Sequence, residues 1–151
     1  ANGGSLFLFL QAAALDARIL SIDINYTPER IAAYRRFSRH WQKVDCLAAN
    51  SHDFETREKV ARWLAGHKLD FLFIDGDHSL NGVSHDYKMY APLVRRDGII
   101  GFHDIVPNSL PDYGVARFWG EIKDQYDHVE FVDRQGQDGY GIGLLRLNGK
   151  I

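Results

Sequence analysis

The chain has 151 residues, 45% of them hydrophobic and 25% charged, a balance that suits one soluble globular domain with a single core. A net charge of −2 excludes the broad basic field that nucleic acid selects, so no nucleic-acid partner is expected. The lone cysteine, Cys46, excludes an internal disulfide framework and a Cys-rich zinc site. It reads as a small buried residue in a reduced compartment, which points to the cytoplasm. Apolar runs such as Leu6 to Leu10 are too short to span a bilayer, and no basic n-region opens the chain, so neither a membrane partner nor a signal peptide is expected.

In chain order, an opening Ala1-Asn-Gly-Gly-Ser5 turn precedes an apolar helical segment, Leu6 to Ala14. Arg18 to Asp23 is a short apolar run ending in an acid and predicts a buried strand. Thr27-Pro28-Glu29 starts a helix, with Thr27 as N-cap, Pro28 in the first turn and Glu29 at the positive helix end. Ile31, Tyr34, Phe37 and Trp41 form its apolar face. Val44 to Ala49 predicts the next strand. Asp53 then caps a helix carrying Val60, Trp63 and Leu64, ended by Gly66. Leu69 to Asp75 is the clearest strand, and its continuous apolar centre predicts cover on both faces.

A further helix places Val83, Tyr87, Tyr90 and Val94 at helical spacing, with Pro92 bending its last turns. Gly98 to Asp104 predicts another buried strand, and Asn108 to Gly114 a loop broken by Pro107 and Pro111. Val115, Phe118, Ile122 and Tyr126 mark the last amphipathic helix. Val129–Val132 and Ile142–Leu147 leave no room for a helix between them and predict an antiparallel hairpin around the loop from Arg134 to Gly141. Alternating strands and helices predict one α/β domain over residues 1–151, with a doubly wound, mostly parallel sheet, strands 71–74 and 99–102 adjacent, and a C-terminal antiparallel hairpin.

Polar residues collect where the strands end: Asp23; Asn50, Ser51, His52 and Asp53; Asp75, Asp77 and His78; His103 and Asp104. Helix capping accounts for one such acid, but four successive strands delivering polar groups to one rim predict a ligand site beyond the carboxyl ends. The Gly3-Gly4 pair lets backbone approach a ligand, with free N–H groups at the following helix start. Asp23, about twenty residues on, has the spacing of an acid that accepts from both ribose hydroxyls. Together they predict a nucleoside-containing cofactor.

Six segments occur in an order that resembles a known family: Asn2-Gly-Gly-Ser5, Ser21-Ile-Asp23, Asn50-Ser-His-Asp53, Phe73-Ile-Asp-Gly-Asp-His-Ser79, Asp97-Gly-Ile-Ile-Gly-Phe-His-Asp104 and Gly114-Val-Ala-Arg-Phe-Trp119. They are similar to the class I methyltransferases of the family 24 type, Rossmann-like enzymes that include macrolide-sugar O-methyltransferases and cephalosporin hydroxylase-like proteins. The resemblance covers nearly the whole chain and implies S-adenosylmethionine as cofactor. Gly3, Gly4, Ser5, Asp23, Asn50, Ser51, His52 and Asp75 are the candidate cofactor-binding residues; Asn50 stands where relatives often use an Asp on the adenine amino group. Such domains place an apolar strand before the Gly-Gly-Ser turn, and this chain begins inside that turn. The first strand is therefore expected to be absent, the domain N-terminally incomplete, and the neighbouring edges covered by a homo-oligomer partner or by chain from outside.

Methyl transfer from a sulfonium needs a nucleophile held in line with the methyl carbon and relieved of its proton. Asp75 and Asp104, ending adjacent strands, can converge, and two carboxylates suit Mg²⁺. The resemblance implies both as metal ligands, with His103 at a third position that is often acidic in relatives; a His there also admits Mn²⁺ or Zn²⁺. His78, three residues past Asp75, is the candidate base, and the macrolide-sugar enzymes imply the same role; its alternative is a helix-capping ring. His52 either borders the adenine or orders its loop. His40, His67, His85 and His128 read as surface residues. The leading function is metal-assisted O-methylation of a small hydroxylated molecule: a sugar, polyketide or phenol. An inactive or cofactor-binding module is the alternative. A dehydrogenase fits less well, because no full Gly-x-Gly-x-x-Gly turn is present.

Overall fold

A computed structural model describes residues 3–110, 112–134 and 136–147; Ala1, Asn2, Pro111, Gln135 and residues 148–151 lie outside the described residues. The chain divides into two compact units, Ala1–Asp53 and Phe54–Ile151.

In the first unit, α1 (Gly4–Ala12), β1 (Arg18–Asp23), α2 (Pro28–Arg35) and β2 (Lys43–Ala48) follow in order. The two strands are parallel, in register from Arg18 opposite Lys43 to Asp23 opposite Ala48. Leu6, Leu10, Tyr34 and Val44 form the buried core, joined by Ile19, Tyr26, Phe37 and Cys46. Thr27 caps α2 as expected, its side-chain oxygen accepting from the Arg30 N–H at 3.3 Å.

The helix stops at Arg35, earlier than its apolar spacing predicts, and Trp41 is 75% exposed. The reason lies in α1, whose last turn has no basic residue. Its orphan carbonyls are instead met by side chains from beyond α2. The buried Gln42 amide donates to Leu10 and Ala14 carbonyls, both at 2.9 Å, and Arg39 donates to Gln11 O at 2.7 Å. Bringing those two side chains to α1 turns the chain out of the helix, through His40 at φ 50°.

The second unit runs α3 (Phe54–Leu64), β3 (Leu69–Ile74), α4 (Leu80–Tyr90), β4 (Val94–His103), α5 (Val115–Ile122), β5 (Asp127–Phe131) and β6 (Ile142–Arg146). Its sheet order is β3-β4-β6-β5, with β3 and β4 parallel and the hairpin antiparallel. Strands 71–74 and 99–102 are adjacent, as the sequence predicts. Ile74, Ile100, Phe102 and Leu145 on one face pack with Val83, Val115, Phe118 and Trp119 into the core. Gly143 belongs to this packing, because a Cβ there would sit 2.6 Å from the Trp119 indole.

Two boundaries differ from the pattern. Pro92 ends α4 outright: the helix stops at Tyr90, a single 3-10 turn spans Ala91–Leu93, and Val94 begins β4. Tyr126 lies past α5, where its hydroxyl meets that of Tyr87 at 2.8 Å. Burial and this bond hold the Tyr87 hydroxyl protonated well above the usual tyrosine range. Cover of β3 on both faces is not found, since Phe71 is 38% exposed and its register partner Ile99 37%. Among the described residues no helix is long and apolar enough to cross a membrane.

Glu130 on β5 ties the hairpin to α5, accepting from Lys123 Nζ at 2.7 Å and Trp119 Nε1 at 2.6 Å. The Lys123 bond first, then the Trp119 bond, hold its carboxyl below the ordinary value. A depressed folded pKa adds stability above the unfolded value and loses it as pH falls through the folded one. Glu130→Gln should therefore flatten the acid limb of a stability–pH curve. The pair is partly solvent-screened, so the loss at neutral pH should stay at about 1 kcal/mol or less. Urea melts between neutral and acid pH check this.

Candidate functional site

Asp23 closes β1, and one carboxylate oxygen accepts from the Asn25 N–H at 2.7 Å. This Asx-type turn stops the side chain from swinging. After β2, Asn50 accepts from the His52 N–H at 3.0 Å through its side chain, while its backbone carbonyl takes the Asp53 N–H at 3.2 Å. The Asn50 side-chain oxygen is thus engaged within its own loop, shaping the segment that also carries Ser51 and His52. At the start of α1, Gly3 adopts φ 77° with the Tyr34 ring where a Cβ would be, 2.6 Å away. No side chain caps this helix, Gly4 and Ser5 are exposed, and a Cβ on Gly4 would meet open space.

The second unit gathers the other candidates. Asp75 follows β3, His78 precedes α4, and His103 and Asp104 stand at the end of β4. One ligand atom each from Asp75, His78 and Asp104 lies within 4.8 Å of the others. His78 Nε2 is 3.4 Å from Asp75 Oδ1 and 3.5 Å from Asp104 Oδ2. His103 Nδ1 is 3.0 Å from Asp104 Oδ1 and 3.5 Å from Asp75 Oδ1, yet this solvent-shielded nitrogen makes no hydrogen bond. Asp104 is buried at 6% exposure and adopts φ 62°, a left-handed conformation that Asp tolerates better than most residues. A buried acid, Asp104, and an exposed one, Asp75, both facing imidazoles, with one imidazole nitrogen orphaned beside them, form a donor set that fits a small divalent cation. The sequence expectation named His103 as third ligand and His78 as base; both imidazoles lie within 3.5 Å of Asp75 and of Asp104.

Tyr113 is a site residue that sequence reasoning misses. Its hydroxyl lies 2.7 Å from His78 Nδ1. Burial first, then the Asp104 and Asp75 charges, push its phenol up. The loop that carries it has no periodicity, and the only available signal was an aromatic directly before Gly114. Gly114 donates its N–H to the His78 carbonyl at 2.8 Å, and a Cβ there would fall 2.2 Å from Leu80 N. Only glycine permits so close a crossing.

Three solved structures share the fold of this chain. The O-methyltransferase from Bacillus cereus in complex with SAH is 15% identical, with a TM-score of 0.64, over 97% of this chain and 70% of that one. TomG from Streptomyces achromogenes, an O-methyltransferase of tomaymycin synthesis solved with SAM, is 16% identical, with a TM-score of 0.67, over 98% and 70%. MycE of the mycinamycin pathway, in complex with Mg, SAH and mycinamycin VI, is 14% identical, with a TM-score of 0.58, over 95% of this chain but 48% of its own. No curated protein matches the chain. The family model described as a methyltransferase domain, Methyltransf_24, matches residues 1–105, so the chain belongs to this methyltransferase family.

Gly114→Ala should force the Tyr113 loop off the α4 start. Overpacking against backbone that cannot rotate away costs about 1–3 kcal/mol. It should appear as a lower denaturant midpoint with an unchanged slope.

Proposed function

We propose that the protein is an S-adenosylmethionine-dependent O-methyltransferase that acts on a small hydroxylated molecule, such as a sugar, polyketide or phenol, with help from a divalent cation, Mg²⁺ first. The observation that carries this reading is the convergence of Asp75, His78 and Asp104 within 4.8 Å, beside the orphaned His103 Nδ1. The Mg and SAH in the MycE complex support it, as does a family match that runs through both compact units and favours one methyltransferase domain.

When bound, S-adenosylmethionine supplies the electrophilic methyl group and the cation supplies positive charge that makes a nearby hydroxyl more acidic. Asp23, with one oxygen committed to Asn25 N–H, offers the other to the ribose hydroxyls. Gly3, Gly4 and Ser5 present backbone N–H groups at the start of α1, and the Asn50-Ser51-His52 loop is the candidate adenine border. Asp75 and Asp104, with His103 beside them, hold the cation. His78 Nε2, facing both carboxylates, takes the proton of the acceptor hydroxyl.

Three variants separate these roles. Asp23→Ala should weaken S-adenosylhomocysteine binding by about 1–3 kcal/mol by calorimetry, and unchanged affinity would remove Asp23 from the site. Asp104→Asn should abolish Mn²⁺ binding followed by electron paramagnetic resonance, together with most of the rate. His78→Ala should keep cofactor and metal binding and lower turnover roughly 10²–10⁴-fold in a methyl-transfer assay over sugar and phenolic acceptors. Full activity in EDTA eliminates the cation; tight cofactor binding with no turnover on any acceptor favours a module that only binds cofactor.

A further inference from the structure

We propose that Tyr113 is the positioning residue of His78, fixing the imidazole so that Nε2 points between Asp75 and Asp104. The inference deepens the assignment of His78 as proton acceptor and rests on it for its consequence, though not for its test.

A histidine ring can turn about χ2, and what stops it decides which nitrogen faces the chemistry. On the carboxylate side the contacts are long, 3.4 Å to Asp75 and 3.5 Å to Asp104, near or past the limit of a useful hydrogen bond. On the other side Tyr113 Oη sits 2.7 Å from Nδ1, with ring centroids 4.8 Å apart at 49°. The short contact is therefore the one that orients the ring.

The backbone makes this contact obligatory. The Gly114 N–H donates to the carbonyl of His78 itself at 2.8 Å, so the residue after Tyr113 is bonded to the residue that Tyr113 steers. Leu80 leaves no room for a Cβ on Gly114, and this close crossing brings the phenol to the imidazole.

A phenolic hydroxyl also suits the task chemically. It donates to a bare Nδ1 and accepts from a protonated one, so the bond survives either tautomer and the imidazolium that forms when Nε2 takes a proton. In every case the ring stays pinned with Nε2 toward Asp75 and Asp104. A third group orienting a base in this way is the general logic of activated sites.

The test reads the ring directly. Long-range proton–nitrogen correlation spectra of protein labelled in histidine nitrogens report how the proton divides between Nδ1 and Nε2; the His78 signals are those lost in His78→Asn. In the native protein the His78 Nδ1 resonance should be that of a ring nitrogen held in a short hydrogen bond. In Tyr113→Phe it should move to the position of a nitrogen without that partner. Difluorotyrosine at position 113 keeps the ring shape and changes only the strength of the hydroxyl, so it should shift the His78 Nδ1 resonance even if the Phe variant folds poorly. A His78 Nδ1 resonance unchanged by both replacements overturns the proposal. The measurement needs neither cofactor nor acceptor, so a failure of methyl transfer leaves its outcome intact.

Discussion

Asp104 has to leave the end of β4 inward, and much of the site depends on how that one residue is held. Its backbone stands at φ 62°, its carboxylate is buried, and its N–H donates to the Gly141 carbonyl at 2.9 Å. The same segment continues with Val106 N–H on the Tyr140 carbonyl at 3.0 Å and Gly139 N–H on the Pro107 carbonyl at 3.0 Å. The chain past β4 is thus zipped to the chain entering β6. Gly141 makes the zip possible: it sits at φ 83°, with Val106 Cγ2 2.9 Å from where a Cβ would be. The antiparallel hairpin of this fold therefore does more than close a sheet, because it supplies the backbone acceptor that holds a strained aspartate in place.

Charge pairing separates the site from its surroundings. Two acids in structural roles meet strong cations: Glu130 accepts from Lys123 at 2.7 Å, and Asp70 from Arg95 at 2.6 Å. The ion-pair partners of Asp75 and Asp104 are histidines, whose charge is conditional. A buried carboxylate without a permanent counter-ion is costly, and a protein keeps such a group where a ligand supplies the missing charge. That asymmetry gives physical content to the cation in the proposed reaction.

Loops supply the precision in each of the two units. In the first unit, Asp23 and Asn50 each turn a side-chain oxygen back onto a nearby N–H, so short turns fix the polar groups that strands deliver. In the second, Gly114 and Tyr113 grip His78 from a loop with no periodic signature. Rigid strands place such residues to within a few ångströms, and local hydrogen bonds set the rest.

Sequence alone determined the order and type of the elements, the adjacency of strands 71–74 and 99–102, the closing hairpin, and the residues at the strand ends. All of these follow from apolar periodicity, capping residues and chain-order motifs, which are local properties. Tertiary structure decided where the patterns stop. Gln42 and Arg39 are drawn to the α1 carbonyls and cut α2 short of Trp41, and the half-open face at Phe71 is invisible in a run of apolar letters. It also decided that His78 and His103 both face Asp75 and Asp104, and that Tyr113 lies against His78. Tyr113 and His78 are 35 residues apart, and their meeting depends on a glycine whose missing Cβ leaves space for Leu80. A contact made by the absence of an atom, between segments distant in the chain, has no local signature, so only the folded chain reveals it.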